Sequence, residues 1–160
     1  MTQDEIYLIR YMKIFLGGTC ADTTWRDELM PLFDKSGIKY FNPIVEDWTP
    51  ECQAIEEYEK NNKCDCHLYV ITKEMMGTYS IAEIINSAWQ SVVYGTTVNY
   101  VVFAILDEGT WQIHERKSFD AIISMVNHIA PNNSVCCYVK SMEELAKYFT
   151  SPVLKTNGEA

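Results

Sequence analysis

The segment VNYVVFAIL, residues 98–106, has apolar side chains at nearly every position rather than at every second one. A strand open to water on one face alternates apolar and polar residues, whereas a strand covered on both faces forms a continuous apolar run. The segment is therefore typical of a strand inside a sheet that has helices on both sides. Few folds of a short chain contain a strand that is covered on both faces.

Strand-like and helix-like segments alternate along the rest of the chain. The strand-like segments are residues 12–17, 38–43, 66–72, 98–106 and 135–139, and the helix-like segments are residues 24–36, 50–63, 80–94, 113–130 and 142–149. Gly37 stands where a C-cap glycine is expected, and Pro43 ends the second strand. This order predicts an α/β fold with a doubly wound, mostly parallel five-stranded sheet in the flavodoxin-like order 2-1-3-4-5.

Length and charge narrow the possible functions. The 160 residues, 48% of them hydrophobic, fit one domain over residues 1–160 with loose ends at about 1–10 and 152–160. Thirteen Lys and Arg against 22 Asp and Glu give a formal charge of −9, which disfavours a nucleic-acid polymer as partner. No run approaches the ~18–20 apolar residues of a membrane span. Because no signal-peptide pattern is present, we expect reduced cysteines and a cytoplasmic protein.

The sequence contains no complete zinc-binding motif and no clear catalytic histidine. Cys64, Cys66 and His67 are close together, but no second cysteine or histidine pair completes a zinc site, so structural cysteines are favoured and no metal or cofactor is expected. His67 begins a strand, while His114 and His128 lie on an amphipathic helix. No Ser-His-Asp set is therefore predicted.

The predicted fold places a ligand cleft at the carboxyl ends of the strands, where the strand order reverses. The residues that follow strands one to four there are Gly17, Gly18, Thr19, Cys20 and Asp22, then Asn42, Asp47 and Trp48, then Thr72 to Ser80 with Glu83, and finally Asp107 and Glu108. The glycine pair has two interpretations: a tight turn, or room for a sugar or base to lie against the backbone. It matches neither the dinucleotide-binding nor the P-loop motif.

Glu83 also has two interpretations. Ser80 and Glu83 have the Ser-x-x-Glu spacing of a capping box, in which each side chain bonds the other's backbone N–H at a helix start. An apolar stripe that we expect to be buried consists of Ile81, Ile84, Ile85, Ala88, Trp89 and Val92. Glu83 lies on the other side of the helix, together with Asn86, Ser87 and Gln90. Glu83 therefore faces either solvent or a ligand. Carboxylates with aromatic neighbours such as Trp25, Trp48 and Tyr79 suit glycosyl chemistry.

Three segments carry a resemblance to a known family. KIFLGGTCADTTWRDEL, FNPIVEDWTPECQ and CDCHLYVITKEMMGTYSIAEI, in this order, resemble the nucleoside 2-deoxyribosyltransferase-like family, in particular its short bacterial and phage branch, from about Lys13 to Leu106. The resemblance implies that Glu83 is a nucleophile that attacks C1′ of a deoxyribose. It also implies that Glu57, eight positions before Asp65, is the proton donor to the leaving base.

The sequence departs from the family at two positions. Phe15 stands where well-studied members have a tyrosine that orients the glutamate, and Gly77 replaces a second aspartate, with Glu74 as the nearest acid. Tyr79 either takes over the orienting role or packs at the helix entry. The residues expected to bind substrate are Gly17, Gly18, Thr19, Asp22, Trp25, Asp47, Trp48, Gly77, Tyr79 and Ser80.

The family resemblance implies an enzyme that cleaves the N-glycosidic bond of a deoxynucleoside or deoxynucleotide and transfers deoxyribose to another base. Two alternatives remain open: a deoxynucleotide N-hydrolase of the same superfamily, and a non-catalytic nucleotide- or metabolite-binding protein. A homo-oligomer is expected because relatives complete their sites with a neighbouring subunit and because Val93 and Tyr94 are surplus apolar residues. Asp107 and Ser118 are the residues expected to reach a neighbour's sugar.

Overall fold

The computed structural model describes residues 12–20 and 22–150. These residues form strands β1 to β5, which are Lys13–Gly18, Lys39–Phe41, Cys66–Ile71, Tyr100–Leu106 and Ser134–Val139. Helices α1 to α5 alternate with them and are Trp25–Ser36, Pro50–Asn62, Tyr79–Val92, Ile113–Ile129 and Met142–Thr150. The predicted loose ends lie outside the described residues.

All strand pairs of the sheet are parallel, and the strand order is β2-β1-β3-β4-β5. The doubly wound α/β fold predicted from the sequence is therefore confirmed. β1 lies between β2 and β3, so the chain leaves β1 toward one edge of the sheet and later returns on its other side. The order reverses there, and the carboxyl ends of β1 and β3 border the crevice in which such folds bind ligands.

Each face of the sheet contributes to its own hydrophobic core. One core contains Leu68 and Val70 of β3, packed with residues of α1 and α5. The other contains Tyr69 and Ile71 of β3, packed with residues of α3 and α4. Because successive strand residues point to opposite faces, apolar residues at consecutive positions are what two covered faces require.

Helix α3 packs differently from the predicted stripe. Ile84 and Ala88 are buried as expected, but Ser87 is also fully buried, whereas Trp89 and Val92 are exposed. Ser87 reaches a polar partner beneath the helix, the hydroxyl of Tyr69, which the count of apolar positions does not reveal. The predicted burial of Trp89 and Val92, and the predicted exposure of Ser87, are therefore wrong.

The glycine pair allows β1 to lie against β3 at the edge of the cleft. Gly18 has φ +110°, and a Cβ at this position would lie 2.1 Å from the carbonyl oxygen of Val70. A Cβ at Gly17 would lie 2.6 Å from the ring of Tyr69. The next residue, Thr19, then donates its N–H to the Val70 oxygen at 2.9 Å. Both glycines are thus required by the close approach of β1 to β3.

Candidate active site

A cleft of about 640 Å³ opens at the carboxyl ends of β1 and β3, where the sheet order reverses. Its walls come from the turn after β1, from helix α2, from the loop after β3 and from the first turns of α3. Nine of the residues predicted for the site line this cleft, namely Gly17, Gly18, Thr19, Trp48, Glu57, Gly77, Tyr79, Ser80 and Glu83. The topological rule therefore located the cleft correctly.

Three predicted residues are not part of this lining. Trp25 is buried, and its Nε1 donates to the carbonyl oxygen of Thr19 at 2.9 Å, so the indole supports the wall of the cleft from the core. Asp22 is exposed in a turn with φ 53°. Asp47 is also exposed, in the segment that precedes α2. The structure does not bring the carboxylates of Asp22 and Asp47 to the other site residues.

Glu83 points to helix α2 instead of capping its own helix. α3 begins at Tyr79 after the N-cap residue Thr78, and no side chain caps its N-terminus. Ser80 is therefore already inside the helix, so the capping-box interpretation of Ser80 and Glu83 is wrong. Oε1 of Glu83 instead accepts a hydrogen bond from Nζ of Lys60 at 2.7 Å. The carboxylate is held toward the cleft.

Lys60 is a buried cation of the site that the sequence analysis missed. The side chains of Lys60 and Glu83 are only 9% and 13% exposed, so water screens their ion pair weakly. Nζ of Lys60 also lies 5.3 Å from the ring centroid of Phe15 and 6.0 Å from that of Tyr69. Such aromatic faces attract a cation. Phe15, at the position where a tyrosine was expected, thus contacts the partner of Glu83.

A chain of buried hydrogen bonds fixes the backbone of Lys60. His67 contacts the carbonyl oxygen of Lys60 through Nε2 and the hydroxyl of Ser87 through Nδ1, each at 2.8 Å, and Ser87 contacts the hydroxyl of Tyr69 at 2.8 Å. Burial lowers the pKa of His67 to about 4, so its ring is neutral near pH 7. Because a carbonyl only accepts, Nε2 of His67 donates, Ser87 donates to Nδ1, and Tyr69 donates to Ser87.

Arg26 shapes the turn after β1. Its Nε and Nη2 donate to the carbonyl oxygen of Leu16 at 3.2 and 3.0 Å, and its Nη1 donates to that of Thr19 at 2.7 Å. The guanidinium also lies 4.2 Å from the ring of Trp25, and burial lowers its pKa. Although Arg26 borders the cleft, most of its donors are used by the backbone.

Acidic side chains dominate the charged lining. Glu56 and Glu57 on α2, Glu74 in the loop after β3, and Glu83 on α3 stand against Lys60 and the engaged Arg26. Glu57 is exposed, whereas Glu56 is half-buried. Burial raises the pKa of Glu56, and repulsion from Glu83 raises it further, while Lys60 and Arg26 oppose these effects. Helix α2 therefore presents two carboxyl groups in different environments to one cleft, the exposed Glu57 and the half-buried Glu56.

The rim of the cleft is aromatic and apolar. Trp48, Tyr79 and Met76 all line the cleft and are largely exposed. Tyr79 is 72% exposed, which is inconsistent with the interpretation that it packs at the helix entry. Flat apolar side chains with free faces suit a heterocyclic base, which binds by stacking and by area burial.

The residues expected to reach a neighbouring subunit lie outside this cleft. The carboxylate of Asp107 forms an ion pair with Arg116 and accepts the N–H of Gly109 at 3.0 Å. The hydroxyl of Ser118 donates to the carbonyl oxygen of His114 at 3.1 Å, within its own helix. Their role toward a second subunit stays a prediction.

In the described part of the chain, the cysteines are free thiols. Cys64 and Cys66 are buried free thiols, and burial raises the pKa of Cys64 to about 12. Within residues 12–20 and 22–150, no three His, Cys, Asp or Glu side chains are grouped so that they could hold a metal ion. In the same residues, no helix has both the length and the apolar character needed to cross a membrane.

Comparison with known proteins identifies a family that the chain matches. A family model described as nucleoside 2-deoxyribosyltransferase like matches residues 11–105, which is more than half of the chain. The matched range extends from β1 into β4 and includes every residue that lines the cleft. No curated protein and no solved structure matches the chain at a significant level.

Proposed function

Because the chain belongs to the nucleoside 2-deoxyribosyltransferase-like family, we propose that it cleaves the N-glycosidic bond of a deoxynucleoside or deoxynucleotide and transfers the deoxyribose to another base. The main support is the position of Glu83, a carboxylate on the first turns of α3 that lines the cleft and pairs with Lys60. A capping role no longer accounts for this side chain.

The proposed reaction is a double displacement. An oxygen of Glu83 forms an ester bond to C1′ while the bond between C1′ and the base nitrogen breaks, and the electron pair of that bond moves to the base. The departing base takes a proton from an acid on α2, for which the family spacing indicates Glu57. A nitrogen of a second base then attacks C1′, the ester bond breaks, and the Glu83 carboxylate is restored.

The remaining lining supplies the binding surfaces in this proposal. The sugar lies against the turn at Gly17 and Gly18, which lines the cleft, and the base stacks on the exposed faces of Trp48 and Tyr79. Lys60 holds the Glu83 carboxylate in one orientation before the substrate arrives, which reduces the entropy lost on reaching the reactive geometry. If water rather than a second base attacks C1′, the same site catalyses hydrolysis instead of transfer.

We also propose that the protein is a homo-oligomer. Four large apolar residues at and beyond the C-terminal end of α3 are exposed in the single chain, namely Trp89, Val92, Val93 and Tyr94. Tyr94 is fully accessible, and a group of exposed apolar residues is typical of an interaction surface. A second copy of the chain that covers this surface would bury apolar side chains that do not pack against the sheet within one chain.

The proposed function is tested by product analysis. The protein is incubated with a panel of deoxynucleosides and their 5′-monophosphates, with and without a second free base, and the products are separated by chromatography. Transfer yields a new deoxynucleoside, hydrolysis yields free base and free sugar, and a binding protein leaves the ligand intact for hours.

Two variants test whether Glu83 is the nucleophile. Glu83→Gln keeps the size of the side chain and should reduce turnover by several orders of magnitude, because an amide does not form the ester. Glu108→Gln, an exposed carboxylate outside the cleft, is the matched control. Turnover by Glu83→Gln at the wild-type rate would refute the assignment of Glu83.

A further inference from the structure

The deoxyribosyl reaction needs a proton donor for the base, and helix α2 offers two neighbouring carboxyl groups. We propose that Glu56, rather than Glu57, gives its proton to the departing base. This inference rests on the proposed function. It concerns a residue that the family spacing does not indicate.

Helix geometry favours Glu56. Lys60 is the buried residue of α2, and Glu56 precedes it by four positions, so the two side chains are neighbours on the same face of the helix. Glu57 is turned about a further 100° around the helix axis and is exposed. Glu56 is half-buried and lines the same cleft as Lys60 and Glu83.

The surroundings of Glu56 favour its protonated form. Burial raises the pKa of Glu56, the charge of Glu83 on α3 and that of Glu57 on the same helix add to the effect, and Lys60 and Arg26 oppose it. A general acid is most effective when its pKa lies near the working pH, and carboxyl groups reach that range by burial and by repulsion from a second carboxylate.

The charges around Lys60 also balance through the reaction. Before the reaction, the ammonium of Lys60 is paired with the Glu83 carboxylate. When Glu83 becomes a neutral ester, the proton of Glu56 moves to the base nitrogen and Glu56 becomes a carboxylate. Lys60 then has a new anionic neighbour on its own helix, so its buried charge stays compensated. In the second step, the incoming base returns a proton to Glu56.

The test compares Glu56→Gln, Glu57→Gln and Glu51→Gln on two substrates. One substrate carries a natural base that needs protonation. The other, the nitrophenyl substrate, carries a 4-nitrophenoxy group on C1′, which leaves as 4-nitrophenolate without a proton donor. Glu51 is an exposed acid in the first turn of α2, outside the cleft, and serves as the control. Glu56→Gln should lose about 10²- to 10⁴-fold on the natural substrate and much less on the nitrophenyl substrate.

The pH profile supplies an independent readout. In the wild type, kcat/KM for the natural substrate should fall at high pH as Glu56 loses its proton, and Glu56→Gln should lack this limb. If Glu57→Gln shows the base-dependent loss and Glu56→Gln does not, the inference is overturned. If both substrates lose equally in Glu56→Gln, that residue is not the acid. If the wild type cleaves neither substrate, the proposed function itself fails.

Discussion

Replacing Lys60 by Met should destabilise the protein strongly, because it leaves the Glu83 carboxylate without its partner. The pair is short, 2.7 Å, and both side chains are about nine-tenths buried. Breaking a buried ion pair by removing one partner costs about 3–5 kcal/mol, since the remaining charge stays desolvated. Because this pair borders an open cleft, we expect about 3 kcal/mol.

Urea unfolding followed by circular dichroism measures this effect. With a slope of about 2 kcal/mol per molar urea, the midpoint should fall by about 1.5 M. Lys73→Met is the matched control: its pair with Glu115 is 3.1 Å long and about one-third exposed on each side, so a loss of at most about 1 kcal/mol is expected. The double variant Lys60→Met/Glu83→Gln should recover much of the loss. Equal midpoints for Lys60→Met and Lys73→Met would refute the interpretation of a buried pair.

Three further outcomes are expected. Stability should decline as the pH falls from about 6.5 to about 4, by roughly 3 kcal/mol from His67, because the unfolded chain takes up this proton first; a pH series of urea midpoints with His67→Gln, in which the decline should shrink, checks this. Gly18→Ala should cost at least about 3 kcal/mol and Gly77→Ala, which has free space, little, in the same assay. Deoxynucleosides should show a higher kcat/KM than their 5′-monophosphates, because the cleft is rich in carboxylates; steady-state kinetics at low salt measure this order, and a higher value for the monophosphates would contradict the prediction.

The fold was predictable because its signals are local. Apolar runs mark the strands, and Gly37 has the left-handed conformation expected of a C-cap glycine, φ 70°. The predicted ends of helices and strands lie within about two residues of the observed ones for every element. From the strand order, the switch-point rule placed Glu83 and the glycine turn in one cleft.

The missed parts of the site depend on which way side chains face. Helix α2 has no apolar stripe, so Glu56 and Lys60 look like members of a solvated charged face. The structure instead shows Lys60 paired with Glu83 of α3 and Glu56 half-buried in the same cleft. Trp25 follows the glycine turn, but a tryptophan in a core and one in a cleft have the same sequence context. Ser80 and Glu83 have the spacing of a capping box, yet the N-cap residue of α3 is Thr78, two residues before Ser80.

The central claim, that Glu83 attacks C1′, is tested most directly by trapping the covalent intermediate. The protein is mixed with a deoxynucleoside in the absence of an acceptor base, quenched in acid within milliseconds to seconds, digested and sequenced by mass spectrometry. The account predicts that a deoxyribosyl mass is added to the peptide containing Glu83, that it maps to this residue, and that it disappears when an acceptor base is added before quenching. Base release by the wild type with no sugar on the protein, or with the sugar on another residue, would contradict the account.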